Sequence, residues 1–399
     1  DYKSATESLT RSDMSEPDRR QREELYGPIW GSMKTRMAEG RGVEPEVLQT
    51  MADTHPALLF SEAAYDNLAF AEEHGLIDGT KTFPEFRAHM IERFGEWEED
   101  ERETYPHITG SQYLAQMQAE EEEAEDAVAV VFAQGVLQPG PQGPGVAGSD
   151  DVSRLLREAH EKEETRALVL RVNSPGGSII ASDTIRDELV AAKTKGIPVV
   201  ISMGDVAASG GMWVSTPADK IYAEPMTITG SIGVAVAFPT LENVFDYVGI
   251  NFDGVTTSEF AGWGIHMPVN EQMDAIFARW AGTAYERFIN LVAESRDKDP
   301  EYIRSIAGGR VWIAGAAQER GLVDELGTME DAIAAAAQLA DMEDFRVDYV
   351  VQEPAPHIVL LRRLGVATQV RYGSFVRSLA GALEELEGLN QPRATVMCT

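Results

Sequence analysis

Ser209 stands in the run Gly204-Asp-Val-Ala-Ala-Ser-Gly-Gly-Met-Trp213, which follows the apolar stretch Ile197 to Met203. The apolar stretch reads as a buried parallel strand, and the residues after Ser209 read as an apolar helix from about Ala208 to Val214. A serine at such a strand–helix junction, with small residues on both sides, has its hydroxyl open to an approaching atom, as a nucleophile requires. Gly210 and Gly211 offer backbone N–H groups at the helix start, where a developing anion is stabilised. A junction of small residues kept for tight packing alone has the same local sequence.

A second stretch, Leu168-Val-Leu-Arg-Val-Asn-Ser-Pro-Gly-Gly177, reads as another buried strand that ends in a turn exposing the backbone of Gly176 and Gly177. Two consecutive βα junctions, each closing in Gly-Gly, bring two N–H groups near one point. A carbonyl oxygen held between them would occupy an oxyanion hole.

A nucleophilic serine needs a base. Of the seven histidines, His266 in Gly-Ile-His-Met-Pro is the first after Ser209, 57 residues on, whereas His160 sits among Glu and Lys in a helix. A lysine serves equally if burial lowers its pKa. Lys162, Lys193, Lys195 and Lys298 lie in charged helical surroundings, and Lys220 opens a strand behind the helix that follows Ser209. None of these is an evident partner.

The elements that must position these groups alternate. A helix over Asp150–Glu164, a strand over 167–173, a helix over 181–194, the strand into Ser209 and a strand over Lys220–Ala223 give an α/β fold with a mainly parallel sheet. Ala127–Phe132 adds an apolar strand, Gln138–Gly148 is a Pro/Gly-rich loop, and Tyr105–Thr109 and Ser111–Gln118 read as a strand and a helix. Ahead of them lie helices over 15–40, 44–53, 61–74 and from Phe83. A long helix covers 268–296.

The order of the early helices recurs. Ala293-Glu-Ser-Arg-Asp-Lys-Asp-Pro-Glu repeats Ala38-Glu-Gly-Arg-Gly-Val-Glu-Pro-Glu at an offset of 255, and Gly321-Leu-Val-Asp repeats Gly75-Leu-Ile-Asp at 246. Such self-similarity marks a tandem repeat whose first copy lacks a counterpart of about 127–254. We therefore expect a first-repeat remnant (1–94), an acidic linker (95–126), a complete second repeat (127–345) and a C-terminal tail (346–399). Near the same offset, Lys3 falls on Thr257, so the first copy would supply a lysine to the serine of the second. The other reading of Lys3 is a solvated terminal lysine.

Composition bounds the alternatives. The chain has 399 residues, 43% of them hydrophobic, and a net charge of −32, which argues against nucleic-acid binding. Eight of its 34 basic residues are lysine. The single cysteine, Cys398, precludes an internal disulfide. No run approaches the roughly 18 apolar residues of a membrane span, and no metal or cofactor motif stands out. A basic amphipathic stretch from Leu361 to Arg377 reads as a surface helix or a membrane-surface contact. The start at Asp1 is read as that of a fragment.

Taken together, Asp1-Tyr-Lys-Ser-Ala with Arg11-Ser-Asp-Met-Ser, Arg171-Val-Asn-Ser-Pro-Gly-Gly-Ser, Val206-Ala-Ala-Ser-Gly-Gly-Met-Trp-Val-Ser-Thr-Pro, Thr229-Gly-Ser-Ile-Gly-Val, and Gly308-Gly-Arg-Val-Trp with Gly321-Leu-Val-Asp resemble the signal peptide peptidase A (protease IV) family in its long, two-repeat form. The resemblance covers the chain to about Glu353. It implies a Clp protease/crotonase-like spiral of βαβ units. By position it also implies Ser209 as nucleophile, Lys3 as general base, Ser231 as the hydroxyl that orients the lysine, and the amides of Gly177 and Gly210 as the oxyanion hole. No cofactor or metal is implied. The expected protein is a homo-oligomer, a tetramer, that degrades cleaved signal peptides. It would be held to the bacterial inner membrane by an N-terminal anchor absent from this sequence, with its catalytic part facing the periplasm. The competing readings are a crotonase-like acyl-CoA enzyme, which shares the paired amides but needs no nucleophilic serine, and an inactive scaffold. An ATP-linked Clp-type protease fits less well, because Val234–Phe238 lacks the histidine it would need.

Overall fold

The computed structural model describes residues 7, 11–59, 66–97, 104–110, 112–113, 124–236, 240–255, 257 and 264–352. Lys3, His357, Cys398 and the stretch 361–377 lie outside them. The N-terminal part is helical. Helix α1 (Glu16–Arg41) starts at Ser15, whose hydroxyl accepts from the Asp18 N–H, and holds Pro17 in its first turn, where a missing N–H costs nothing. Helices α2 (Pro45–Leu59), α3 (Asn67–Glu73) and α4 (Phe83–Phe94) follow. Tyr105–Thr109 is not a strand; Pro106 cannot donate to a ladder.

The sheet begins with β1 (Ala127–Gln134). Strands β2 (Val136–Gln138) and β3 (Val146–Gly148) pair with each other outside it, closing the ends of the Pro/Gly-rich loop. Then come α5 (Ser149–Glu161), β4 (Thr165–Ser174), α6 (Ile179–Thr194), β5 (Val199–Ala208), α7 (Gly210–Ser215), β6 (Lys220–Ala223) and β7 (Ile228–Gly230). After α8 (Glu242–Val248) run α9 (Glu271–Arg296), α10 (Pro300–Ile306), β8 (Val311–Ile313), α11 (Ala314–Glu319), β9 (Glu325–Leu326), α12 (Met329–Leu339) and β10 (Arg346–Tyr349).

The main path of the sheet is β10-β1-β4-β5-β6-β9, parallel throughout. Its central strands are buried on both faces, as βαβ crossovers require. Val131, Leu170 and Ile201 pack toward α5, α6, α7 and α9, while Val130, Val169 and Val200 pack against the alanine-rich face of α12. β10 extends the sheet beside β1, so the expected tail boundary at 345/346 falls inside the fold; the compact unit runs to Val350. Four residues are too few for a periodic signal.

β5 forks. Val200–Met203 pair with β6, and Val206–Ala208 pair with β7. At the fork, register with β4 slips between Val172↔Met203 and Ser174↔Ala207, a bulge over Gly204–Val206. Asn173 fills it, its Oδ1 accepting from the Val206 N–H at 3.2 Å, and the Thr227 hydroxyl donates to the Gly204 carbonyl at 2.6 Å. β5 thereby continues to Ala208 where the sequence suggested the helix had begun.

The N-terminal helices and those after Glu271 share bonds as well as order. α1 and α9 each span 26 residues and end on a left-handed residue, Gly42 and Asp297. Arg41 donates from Nε to the Gly75 carbonyl (3.0 Å) and forks onto Asp78; Arg296 donates from Nε to the Gly321 carbonyl (2.8 Å) and forks onto Asp324. The Thr82 and Thr328 N–H groups donate to Glu85 and Asp331, both at 2.7 Å, at the starts of α4 and α12.

Candidate active site

Parallel strands deliver their following loops to one edge of a sheet, and open α/β sheets bind ligands there. Three such exits converge here. β4 ends at Ser174 and runs into Gly176-Gly177, β5 ends at Ala208 and runs into Ser209, and β7 ends at Gly230 and runs into Ser231.

Ser209 occupies the corner between β5 and α7 with φ 54° and ψ −113°. These are the angles of the first central residue of a type II′ turn, a position that favours glycine. A serine there is strained, and the same kind of sharp strand-to-helix elbow presents nucleophiles on other α/β sheets. The corner is fixed on both sides. The Ser209 N–H donates to the Gly230 carbonyl (2.9 Å), and its carbonyl accepts from the Trp213 N–H (3.0 Å).

The two Gly-Gly junctions pack directly together. A Cβ on Gly176 would lie 2.5 Å from the Gly210 nitrogen and 2.7 Å from the Ser209 Cβ. On its other side the first junction meets β2: the Leu137 N–H donates to the Gly176 carbonyl, and the Leu137 carbonyl accepts from the Ser178 N–H, both at 2.9 Å. Gly177 packs so closely on Leu137 that an added Cβ would fall 2.2 Å from its carbonyl oxygen.

Ser231, nearly buried, also has positive φ, 50°. Its N–H donates to the Arg310 carbonyl at 2.7 Å, and Gly309 N–H donates to the Ile232 carbonyl at 2.9 Å. Ser209, Gly210, Gly176 and Ser231 are thus brought to one edge of the sheet. Lys3 lies outside the described residues.

Lys220 is excluded as the base. It pairs with Val200 at the opposite end of β5, nine residues before Ser209, which at about 3.3 Å per residue is roughly 30 Å away. Its ammonium is hydrogen-bonded to Glu325 (2.8 Å), which pushes its pKa above the ordinary lysine value, the wrong direction for a base. His160 is buried between Glu188, to which Nε2 bonds at 2.8 Å, and Lys195, which bonds Nδ1 at 2.9 Å. The His266 ring lies tilted against Phe252, ring centroids 4.4 Å apart.

The sequence reading missed a support directly behind Ser209. The Trp213 indole N–H donates to Asp183 Oδ1 (2.8 Å), and the Arg287 guanidinium forks onto the same carboxylate (2.6 and 2.9 Å) while lying over the indole ring. Phe288 packs against the Trp213 ring, centroids 4.8 Å apart. α6, α7 and α9 are thereby joined under Ser209. The available signal was Trp213 itself, one helical turn beyond the serine with a buried donor that must find an acceptor.

Among the described residues no group of three or more His, Cys, Asp or Glu side chains is disposed to hold a metal ion, and no helix is long and apolar enough to cross a membrane. A surface depression lined by Asp78, Lys81, Phe83, Phe86 and His89 contains none of the candidate site residues Ser209, Ser231, Gly177 and Gly210.

Residues 191–343 match the model of Peptidase family S49. The chain is 37% identical over 353 residues to Protease 4 of Salmonella typhi, covering 88% of this chain and 56% of that protein. It is 29% identical over 395 residues to the chloroplastic serine protease SPPA of Arabidopsis thaliana, covering 96% and 56%. A putative protease of Synechocystis sp. is 34% identical over 215 residues, 53% of this chain and 76% of the relative. Among solved structures, a point mutant of ClpP1 from Listeria monocytogenes overlaps 51% of this chain and 94% of its own, with a TM-score of 0.35 and 20% identity. The chain therefore spans little more than half the length of the Salmonella and Arabidopsis relatives.

Proposed function

The chain belongs to peptidase family S49, and from that premise we propose that it is the catalytic part of a serine peptidase in which Ser209 attacks the peptide carbonyl. One observation carries the reading: a non-glycine residue held in the strained β5–α7 corner, backed by Gly176 at van der Waals limits. Strain of this kind persists only where the surroundings over-determine it, and it clusters at reacting groups.

In this mechanism neutral Lys3 takes the proton of the Ser209 hydroxyl as the alkoxide adds to the carbonyl. The amides of Gly177 and Gly210 hold the oxyanion, and Ser231 orients the lysine. Lys3 then protonates the leaving amine and later activates the water that releases the acyl group. A lysine acts this way only when desolvated. The arrangement therefore calls for residues 1–94 to close over the second copy as a first-repeat remnant, with 95–126 as linker. The matching Arg41 and Arg296 bonds support the two-copy reading. We infer further that the substrates are cleaved signal peptides and other hydrophobic peptides. The active assembly is inferred to be a homo-tetramer, anchored at the bacterial inner membrane with its catalytic part in the periplasm.

The test is hydrolysis of a peptide ester and fluorophosphonate labelling by the full-length protein and its Ser209→Ala, Lys3→Ala and Ser231→Ala variants. The proposal expects the first two to lose at least about 10³-fold in turnover and the third to lose less. Normal turnover by Ser209→Ala removes the peptidase mechanism; normal turnover by Lys3→Ala removes the lysine.

A further inference from the structure

We propose that helix α1 sets the geometry of Ser231 through β8, with Gln21 and Arg310 as positioning residues. The inference rests on the reading of Ser231 given above. Ser231 leaves β7 with a side-chain-bearing left-handed backbone, so something outside its own strand must hold it. That support is the segment Gly309–Trp312. Gly230 pairs with Val311, the Arg310 carbonyl takes the Ser231 N–H, and Gly309 donates to Ile232. Trp312 closes the remaining space, its ring carbon 2.9 Å from where a Cβ on Gly230 would sit.

β8 is three residues long and, among the described residues, pairs with no strand except β7. Helix α1 meets its other edge. The Val311 N–H donates to Gln21 Oε1 at 3.0 Å, and Arg310 pairs with Glu24, one turn further along α1. The Arg310 guanidinium carbon lies 4.0 Å from the centre of the Trp312 ring, over which Arg320 also lies at 3.8 Å. Arg310 therefore faces two ways. Its carbonyl holds Ser231, and its side chain holds α1. A strand this short is placed by what lies on both of its edges, so docking of α1 and the position of Ser231 are one equilibrium. The helix that follows Lys3 in sequence would thus also shape the hydroxyl proposed to orient Lys3, which ties assembly of the two copies to activity.

The experiment compares Gln21→Leu, which removes the acceptor for Val311, with Gln21→Glu, which keeps one, in the full-length protein. Arg41→Ala serves as a control that removes an exposed ion pair at the far end of α1, away from β8. Two readouts are taken: kcat and KM for a peptide ester, and hydrogen exchange at the Ser231 amide. Expected for Gln21→Leu are a Ser231 exchange rate at least about tenfold faster and a kcat about tenfold lower with KM unchanged. Gln21→Glu should behave as the unmutated protein, and Arg41→Ala should leave both readouts near normal. Unchanged exchange in Gln21→Leu overturns the coupling, as does an equal effect in Arg41→Ala. Faster exchange with unaltered kcat separates the two ideas: the mechanical link stands, and the role of Ser231 in the chemistry falls.

Discussion

Ser209 and Ser231 are register neighbours. Each follows the last paired position, Ala208↔Gly230, of two adjacent parallel strands, and each turns out of its strand with positive φ, 54° and 50°. Each such backbone costs about 1–3 kcal/mol. The support comes from different directions: Gly176 and Trp213 brace the first serine, and the Arg310 carbonyl braces the second. Hydroxyl-bearing residues are held side by side here by separate parts of the chain.

Gly176→Ala is expected to disable the site by contact. The new Cβ falls 2.5 Å from the Gly210 nitrogen, and the residue has φ +100°. Loss of stability by at least about 2 kcal/mol in denaturant unfolding, with Ser209 labelling slowed about 100-fold or more, is the expected outcome. Gly196→Ala, at φ +82° but with nothing within 4 Å, is the comparison. It should cost about 1 kcal/mol and leave labelling unchanged.

Asp183→Ala removes the acceptor of a buried indole and the partner of Arg287. We expect a loss of about 2 kcal/mol, because the Trp213 N–H is left unsatisfied. In a Trp213→Phe background the same substitution should cost about 1 kcal/mol less, since the donor is already gone. Thermal unfolding of the four proteins of the cycle measures the difference; additive losses would show that the indole bond contributes nothing.

The two arginine clamps predict unequal penalties. Arg296 is nearly buried against Asp324, while Asp78 beside Arg41 is almost wholly exposed. Arg296→Ala should therefore destabilise by about 2–3 kcal/mol. Arg41→Ala should have a far smaller effect, and one that salt removes. Urea titrations at low and high ionic strength separate the cases.

Glu188 supplies a pH signature. Burial acts to raise its carboxyl pKa, but hydrogen bonds from Arg157 and His160 outweigh burial and hold it below the ordinary 4.5. A lowered carboxyl stabilises the fold above its unfolded pKa, and the contribution disappears as pH falls through the folded value. Glu188→Gln should be less stable than the unmutated protein by about 1–2 kcal/mol at pH 7. The gap should narrow once the pH falls below about 4. A gap that stays constant from pH 7 to 3 would contradict the assignment.

The alternation of apolar runs and Gly-Gly turns made the parallel sheet and the Ser209 corner legible, because buried strands and tight turns leave strong local marks. The two-residue and three-residue strands β7, β8 and β9 left none, being shorter than any period. Nor was the Asp183 support readable: its partners Trp213 and Arg287 lie 30 and 104 residues away, a distance in sequence that only the fold closes. The bulge at Gly204–Val206 blurred the boundary between β5 and α7 for a similar reason. It lengthens the strand where composition had already turned to small residues.

The φ of Ser209 also limits what descent can do with this position. A β-branched side chain is an outlier at positive φ. Threonine, an alcohol one methyl group larger, is therefore barred by backbone shape rather than by chemistry. Glycine and asparagine, which tolerate such angles, carry no nucleophile. If Ser209 is the nucleophile proposed above, drift at residue 209 thus has few intermediate stations: lineages keep the serine, or they lose that reaction in a single step while the fold survives.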